Sequence, residues 1–369
     1  MYFVKNEIEM IVAGGIVAFS IPFAAGVVVA ALLPPGEEGS TYWWVSLAGS
    51  ACLGLACAVF CSKGRRSRTA YAMCFILGAL AYSCARLRGA GTFRLPGLTL
   101  GRFAAFIDAT DFHHEQTGAL LKAFLTGRRD GLDETVANSF RESGASHLLA
   151  LSGLHLGIVY GILAKMLALL GHSRTATLVR SLTAISAASA FTLLTGTSPS
   201  TIRAFLFILL NEISRLQPGR HRSAINIYCT ALTIQLAAYP LAIDSLGFQL
   251  SYLAMLGIYL LFPKMNAWYP DGSRFNPLRY IWTSMAMSIS CQVFTAPLVW
   301  LRFHSFPLFF LLTNLLALPL TSAMMLCGLA ALALSAAGCC PDIMKSLTDA
   351  IGQALIFCLE TISTLRPIS

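Results

Sequence analysis

Between Ser146 and Gly157 the chain reads Ser-His-Leu-Leu-Ala-Leu-Ser-Gly-Leu-His-Leu-Gly, which sets His147, Ser152, Gly153 and His155 into a run otherwise apolar enough for a membrane. Imidazoles and hydroxyls gain nothing from hydrocarbon, where each unsatisfied polar group costs several kcal/mol. They are expected to face protein or a wet path, and polar content at membrane depth is a functional hypothesis by default. Later apolar runs carry more of it: Thr195, Ser200 and Arg203 within Thr-Gly-Thr-Ser-Pro-Ser-Thr-Ile-Arg, then Gln249 and Ser251, Gln292, and Asn314. Near the end of a span, Arg203 can serve as an interfacial anchor. It can also meet an anion beside the hydroxyls and capping amides of the loop before it.

The same residues limit the chemistry. His147 and His155 are eight apart, about 80° around one ideal helix, so they share a broad face but cannot hold one metal from adjacent turns. Asp108, Asp111, His113, His114 and Glu115 crowd the main polar stretch. They read as a solvated face beside an amphipathic piece, Gln116 to Leu125, and not as a ligand set. Eleven cysteines lie mostly in apolar runs without any C-x-x-C pair, so neither a metal site nor a disulfide framework is expected. Nucleotide-binding, nucleophile-elbow and zinc-protease motifs are missing, so no cofactor and no catalytic residue is assigned. Two competing readings remain. An intramembrane hydrolase using His147, Ser152 and His155, or Asp244, needs a tight hydrogen-bonded cluster. A small-molecule transporter favours inverted repeats, and none is visible.

The elements that must position these residues are membrane helices. With 56% hydrophobic and 12% charged residues, the chain is far more apolar than a soluble protein. Its mean hydropathy of +0.69 agrees. At roughly 20 residues per crossing the runs give an all-α, polytopic transmembrane protein with about ten or eleven spans. The run from Phe306 to Ala337, interrupted by Pro319, is expected to be a broken or re-entrant helix. Residues 1–86 read as N-terminal membrane helices, 87–146 as an extracytoplasmic and amphipathic segment, and 147–369 as the part carrying the chemistry. Lys63, Arg65, Arg66 and Arg68 follow the second span, whereas Glu37 and Glu38 precede it. This asymmetry puts the N-terminus in the cytoplasm.

Arg141 to Gly157 resembles the signature of the ComEC-type competence proteins, inner-membrane channels for DNA uptake in natural transformation. Three further blocks resemble that family in order: Leu194 to Ala204, Asp244 to Ala254, and Gln292 through Pro297 and His304 to Asn314 and Pro319. The resemblance implies a channel in the bacterial inner membrane that conducts single-stranded DNA into the cytoplasm. It assigns the path to His147, Ser152, Gly153, His155, Thr195, Ser200, Arg203, Gln249, Ser251, Gln292 and Asn314. The partners it implies are membrane lipid, a periplasmic DNA-binding protein, a cytoplasmic helicase and further copies of the chain. Longer family members add an OB-like domain and a metallo-β-lactamase-like domain suspected of nuclease activity. Here the outer segment is short and the chain ends soon after its last span, so the expectation is the channel without the nuclease.

Overall fold

The computed structural model describes residues 16–32, 65–87, 98–149, 153–171, 173–195, 198–216, 223–269, 277–304 and 309–365, and every regular element among them is helical. They are α1 (Val17–Leu32), α2 (Arg65–Leu87), α3 (Leu98–Asp108), α4 (Glu115–Thr126), α5 (Glu134–Glu142), α6 (Ser146–Leu149), α7 (Gly153–Leu167), α8 (Arg174–Leu194) and α9 (Pro199–Leu216). Then come α10 (Ala224–Ala238), α11 (Leu246–Leu260), α12 (Phe262–Asn266), α13 (Pro277–Phe303), α14 (Phe310–Ala336) and α15 (Asp342–Thr364). Among the described residues, three helices are long and apolar enough to cross a membrane: α8, α13 and α14. The second apolar run of the sequence, near 43–61, and Lys63 after it lie outside the described residues.

The chain divides into two compact units, one made of residues 1–93 with 209–252 and the other of 94–208 with 253–369. In the first, α1 and α2 approach through glycines. A Cβ on Gly26 would strike the Phe75 carbonyl, and one on Gly78 would strike that of Phe23. Small residues let membrane helix backbones meet in this way. Hydroxyls then link helices: Tyr82 donates to Asp244 at 3.0 Å, and Tyr252 to Gln235 Oε1 at 2.9 Å.

The second unit is built around α4, α14 and α15. Leu120, Leu121, Phe124, Phe140, Met324, Met325, Leu355 and Leu359 form its core. Local chemistry sets the helix ends. Ser173 accepts from the Ala176 amide at 3.0 Å and starts α8. Gly127 at φ 74° closes α4 with its N–H on the Ala123 carbonyl, in a left-handed conformation that favours glycine.

Three expectations are corrected. In the run at Phe306 to Ala337 the described part is not broken: α14 continues through Pro319 for 27 residues. Neighbouring helices and backbone adjustment let a membrane helix tolerate the lost N–H. The piece from Gln116 to Leu125 is not amphipathic in its setting, because Thr117 and Ala119 through Thr126 are all buried. Even Lys122 is only 8% exposed, and it pairs with Asp108 at 2.7 Å. The core of α14 and α15 surrounds this short helix instead of covering one side. Finally, His147 and His155 lie on different helices, α6 and α7, so the angle between them on one ideal helix does not apply.

Candidate polar path in the membrane helices

Gly153 is the first residue of α7 and touches the first turns of α9. A Cβ there would lie 2.9 Å from Ala204 Cβ, 3.0 Å from Arg203 Nη2 and 3.4 Å from the Ser200 carbonyl. Three of the expected residues, Gly153, Ser200 and Arg203, therefore meet where the N-termini of two helices come together. Both ends carry partial positive charge, and Arg203, 8% exposed, adds a full one. From Ser143 to Asn211 the sequence has no Asp or Glu, whereas Lys165, Arg174, Arg180 and Arg203 fall inside it.

His155 faces elsewhere. Two residues on from Gly153, it lies about 200° around α7, with its ring centroid 5.8 Å from that of Phe124 on α4. It is fully buried, and among the described residues neither ring nitrogen has a hydrogen-bond partner. His147 is exposed and directs Nδ1–H at the Gly144 carbonyl, 3.2 Å away. Ser152 lies outside the described residues. A hydrolytic pair needs nucleophile and base in hydrogen-bonding reach, and among the described residues, which leave out Ser152, His155 makes no such contact.

A second polar group joins α13 to α14. Asn314 Nδ2 donates to Ser288 Oγ at 3.3 Å, while its Oδ1 is buried without a partner among the described residues. Gln292 is one turn from Ser288 on the same helix face, and among the described residues its Nε2 is likewise buried and unsatisfied. Native interiors seldom leave such groups unpaired, and each one asks for a water, an ion or a ligand.

Other expected residues are spent locally. The Thr195 hydroxyl donates to the Phe191 carbonyl at 2.8 Å and ends α8. Gln249 Nε2 donates to the Ile243 carbonyl at 2.7 Å, tying the turn before α11, and Ser251 is half-buried on α11; both belong to the first unit. In the polar cluster, Asp108 takes Lys122, and His113 places its backbone N–H 3.0 Å from Asp349 Oδ2. No group of three or more metal-ligating side chains occurs among the described residues. Asp349 escaped the sequence reading. It is 3% exposed in α15, and among the described residues its Oδ1 is unpartnered. An acidic residue at the head of the largely apolar run Ala350–Leu359 was itself the signal for it.

These features define a class: a helical membrane protein whose apolar spans bury polar groups that the protein does not itself satisfy. The chain belongs to the Competence protein family, which matches residues 124–367. Among curated relatives it is similar to the ComE operon protein 3 of Bacillus subtilis, 28% identical over 209 residues, which is 56% of this chain and 25% of that protein. The Recombination protein 2 of Haemophilus influenzae is 28% identical over 213 residues, 55% of this chain and 26% of the relative. An uncharacterized protein of Aquifex aeolicus reaches 31% identity over 256 residues, 69% and 56% of the two chains. The chain thus spans about a quarter of the first two relatives. No solved structure matches it.

Proposed function

We propose that this chain is the membrane conduit through which single-stranded DNA passes into the cytoplasm during natural transformation. One observation carries the reading: the competence family match, 124–367, covers the helices that bury His155, Gln292 and Asn314 with polar atoms left unsatisfied. A strand with one negative charge per nucleotide needs a wet, weakly positive route closed off from lipid. The acid-free stretch with Arg203 at the meeting of two helix N-termini supplies the sign. Gly153 and Ser200 set the wall there, and His147, Ser152, His155, Gln292 and Asn314 continue the path.

In this reading the protein crosses the bacterial inner membrane about ten or eleven times, as its apolar runs imply, with its N-terminus in the cytoplasm. Lacking a nucleotide-binding motif, it draws its driving force from a partner such as a cytoplasmic helicase. A periplasmic DNA-binding protein delivers the strand, and further copies of the chain complete the assembly. The test is uptake by cells lacking the protein, scored separately for surface-bound DNA and for cytosolic single strands. Surface binding should persist while cytosolic strands vanish. Cytosolic strands at the parental level would refute the proposal.

A further inference from the structure

The segment before the path lies at a depth that its composition does not suggest. Helix α14, 27 residues long, is apolar enough to cross a membrane. If its middle residue, Ala323, marks the bilayer centre, a core about 30 Å thick covers about ten residues either side at 1.5 Å per residue. That range runs from Thr313 to Ala333. Two contacts place the segment inside it. The Thr313 hydroxyl donates to the Ser143 carbonyl at 2.7 Å. A Cβ on Gly328 would lie 2.9 Å from Leu121 Cδ2. Between these two contacts α14 rises roughly 22 Å, from fifteen residues at 1.5 Å each.

Helix α15 carries the segment to the same level through its contact with α14. A Cβ on Gly352 would lie 3.2 Å from Met324 Cε and 3.4 Å from Thr117 Oγ1. One turn away, Asp349 Oδ2 accepts from the His113 N–H at 3.0 Å. The irregular loop ending at His114 therefore sits beside the middle of α14. On the outer side of α14 Leu326 is 46% exposed, as lipid contact requires. Yet Asp111, His113, His114 and Glu115 are exposed as well. Irregular backbone and charge at membrane depth are tolerated only against protein or a water-filled cavity.

We propose that residues 113–143 form a re-entrant wedge against α14 and α15, and that its exposed loop lines an aqueous vestibule reaching the middle of the membrane. This rests on α14 as a span and not on the nature of the cargo. It also gives Asp349 a role: the carboxylate anchors the loop through the His113 N–H.

The test uses the full chain with its eleven cysteines replaced, reconstituted in vesicles and labelled with bimane at His114→Cys, Glu115→Cys or Leu326→Cys. Iodide should quench the labels at 114 and 115 several-fold more than the label at 326, and acyl-brominated lipid should show the reverse order. Lipid quenching at 114 and 115 would overturn the vestibule. So would iodide quenching at 326, which would place that level of α14 in water. Protection of both loop positions from either quencher would mean that protein covers the loop, and the proposal would fail. Loss of transformation in a separate assay bears only on the DNA reading.

Discussion

His155→Leu should make the protein more stable and less able to import DNA. The imidazole is fully buried against Phe124, and among the described residues its donor and its acceptor are both unmet. Leaving a buried polar group unsatisfied costs about 1–3 kcal/mol, whereas an apolar replacement of similar shape carries no such penalty. A leucine fits the site imperfectly, which returns up to about 1.5 kcal/mol, the usual ceiling for a volume-conserving swap. With two unmet groups at that cost each, less the misfit, the net expectation is a gain of about 0.5–6 kcal/mol. Denaturant unfolding of the purified protein in detergent reads the stability, and transformation frequency per unit of membrane protein reads the function. His155→Gln keeps both donor and acceptor and should leave stability near the parent. A less stable Leu variant would mean that the imidazole has a partner in the resting state. A stabilised variant that transforms normally would remove His155 from the path.

Further predictions follow from neighbouring contacts. Gly153→Leu should push α7 from α9 at the Ala204 contact, costing about 1–3 kcal/mol by overpacking while transformation falls further than protein abundance on an immunoblot; normal transformation at normal abundance would take this contact out of the path. Arg203→Lys keeps the charge but loses the planar fork, so its transformation frequency should exceed that of Arg203→Ala; equal loss in both would show that the fork, not the charge, matters. Gly78→Leu should act on folding, since the new side chain meets the Phe23 carbonyl: membrane abundance should drop and uptake per molecule should not, and the opposite split would refute a purely structural role.

Composition and apolar run length were enough to reveal a helical membrane protein, because a bilayer admits few alternatives to the helix and a crossing needs a fixed length of apolar chain. The block from Arg141 to Gly157 was enough to suggest the family that the 124–367 match establishes. Which polar residue is spent and which is left over was not legible, because hydrogen bonds are won by competition among neighbours that the linear order does not specify. Thr195 and Gln249 looked like path residues, yet each satisfies a carbonyl close by in the chain, at Phe191 and Ile243. His155 looked no different from them, and its isolation depends on Phe124, a residue 31 positions earlier. Likewise the pattern from Gln116 to Leu125 suggested a surface helix, since a sequence marks which residues are apolar but not how many sides of a helix its neighbours cover. Only the tertiary structure, by closing α14 and α15 around α4, turned that apparent surface into core and carried a charged loop to the depth of a membrane helix.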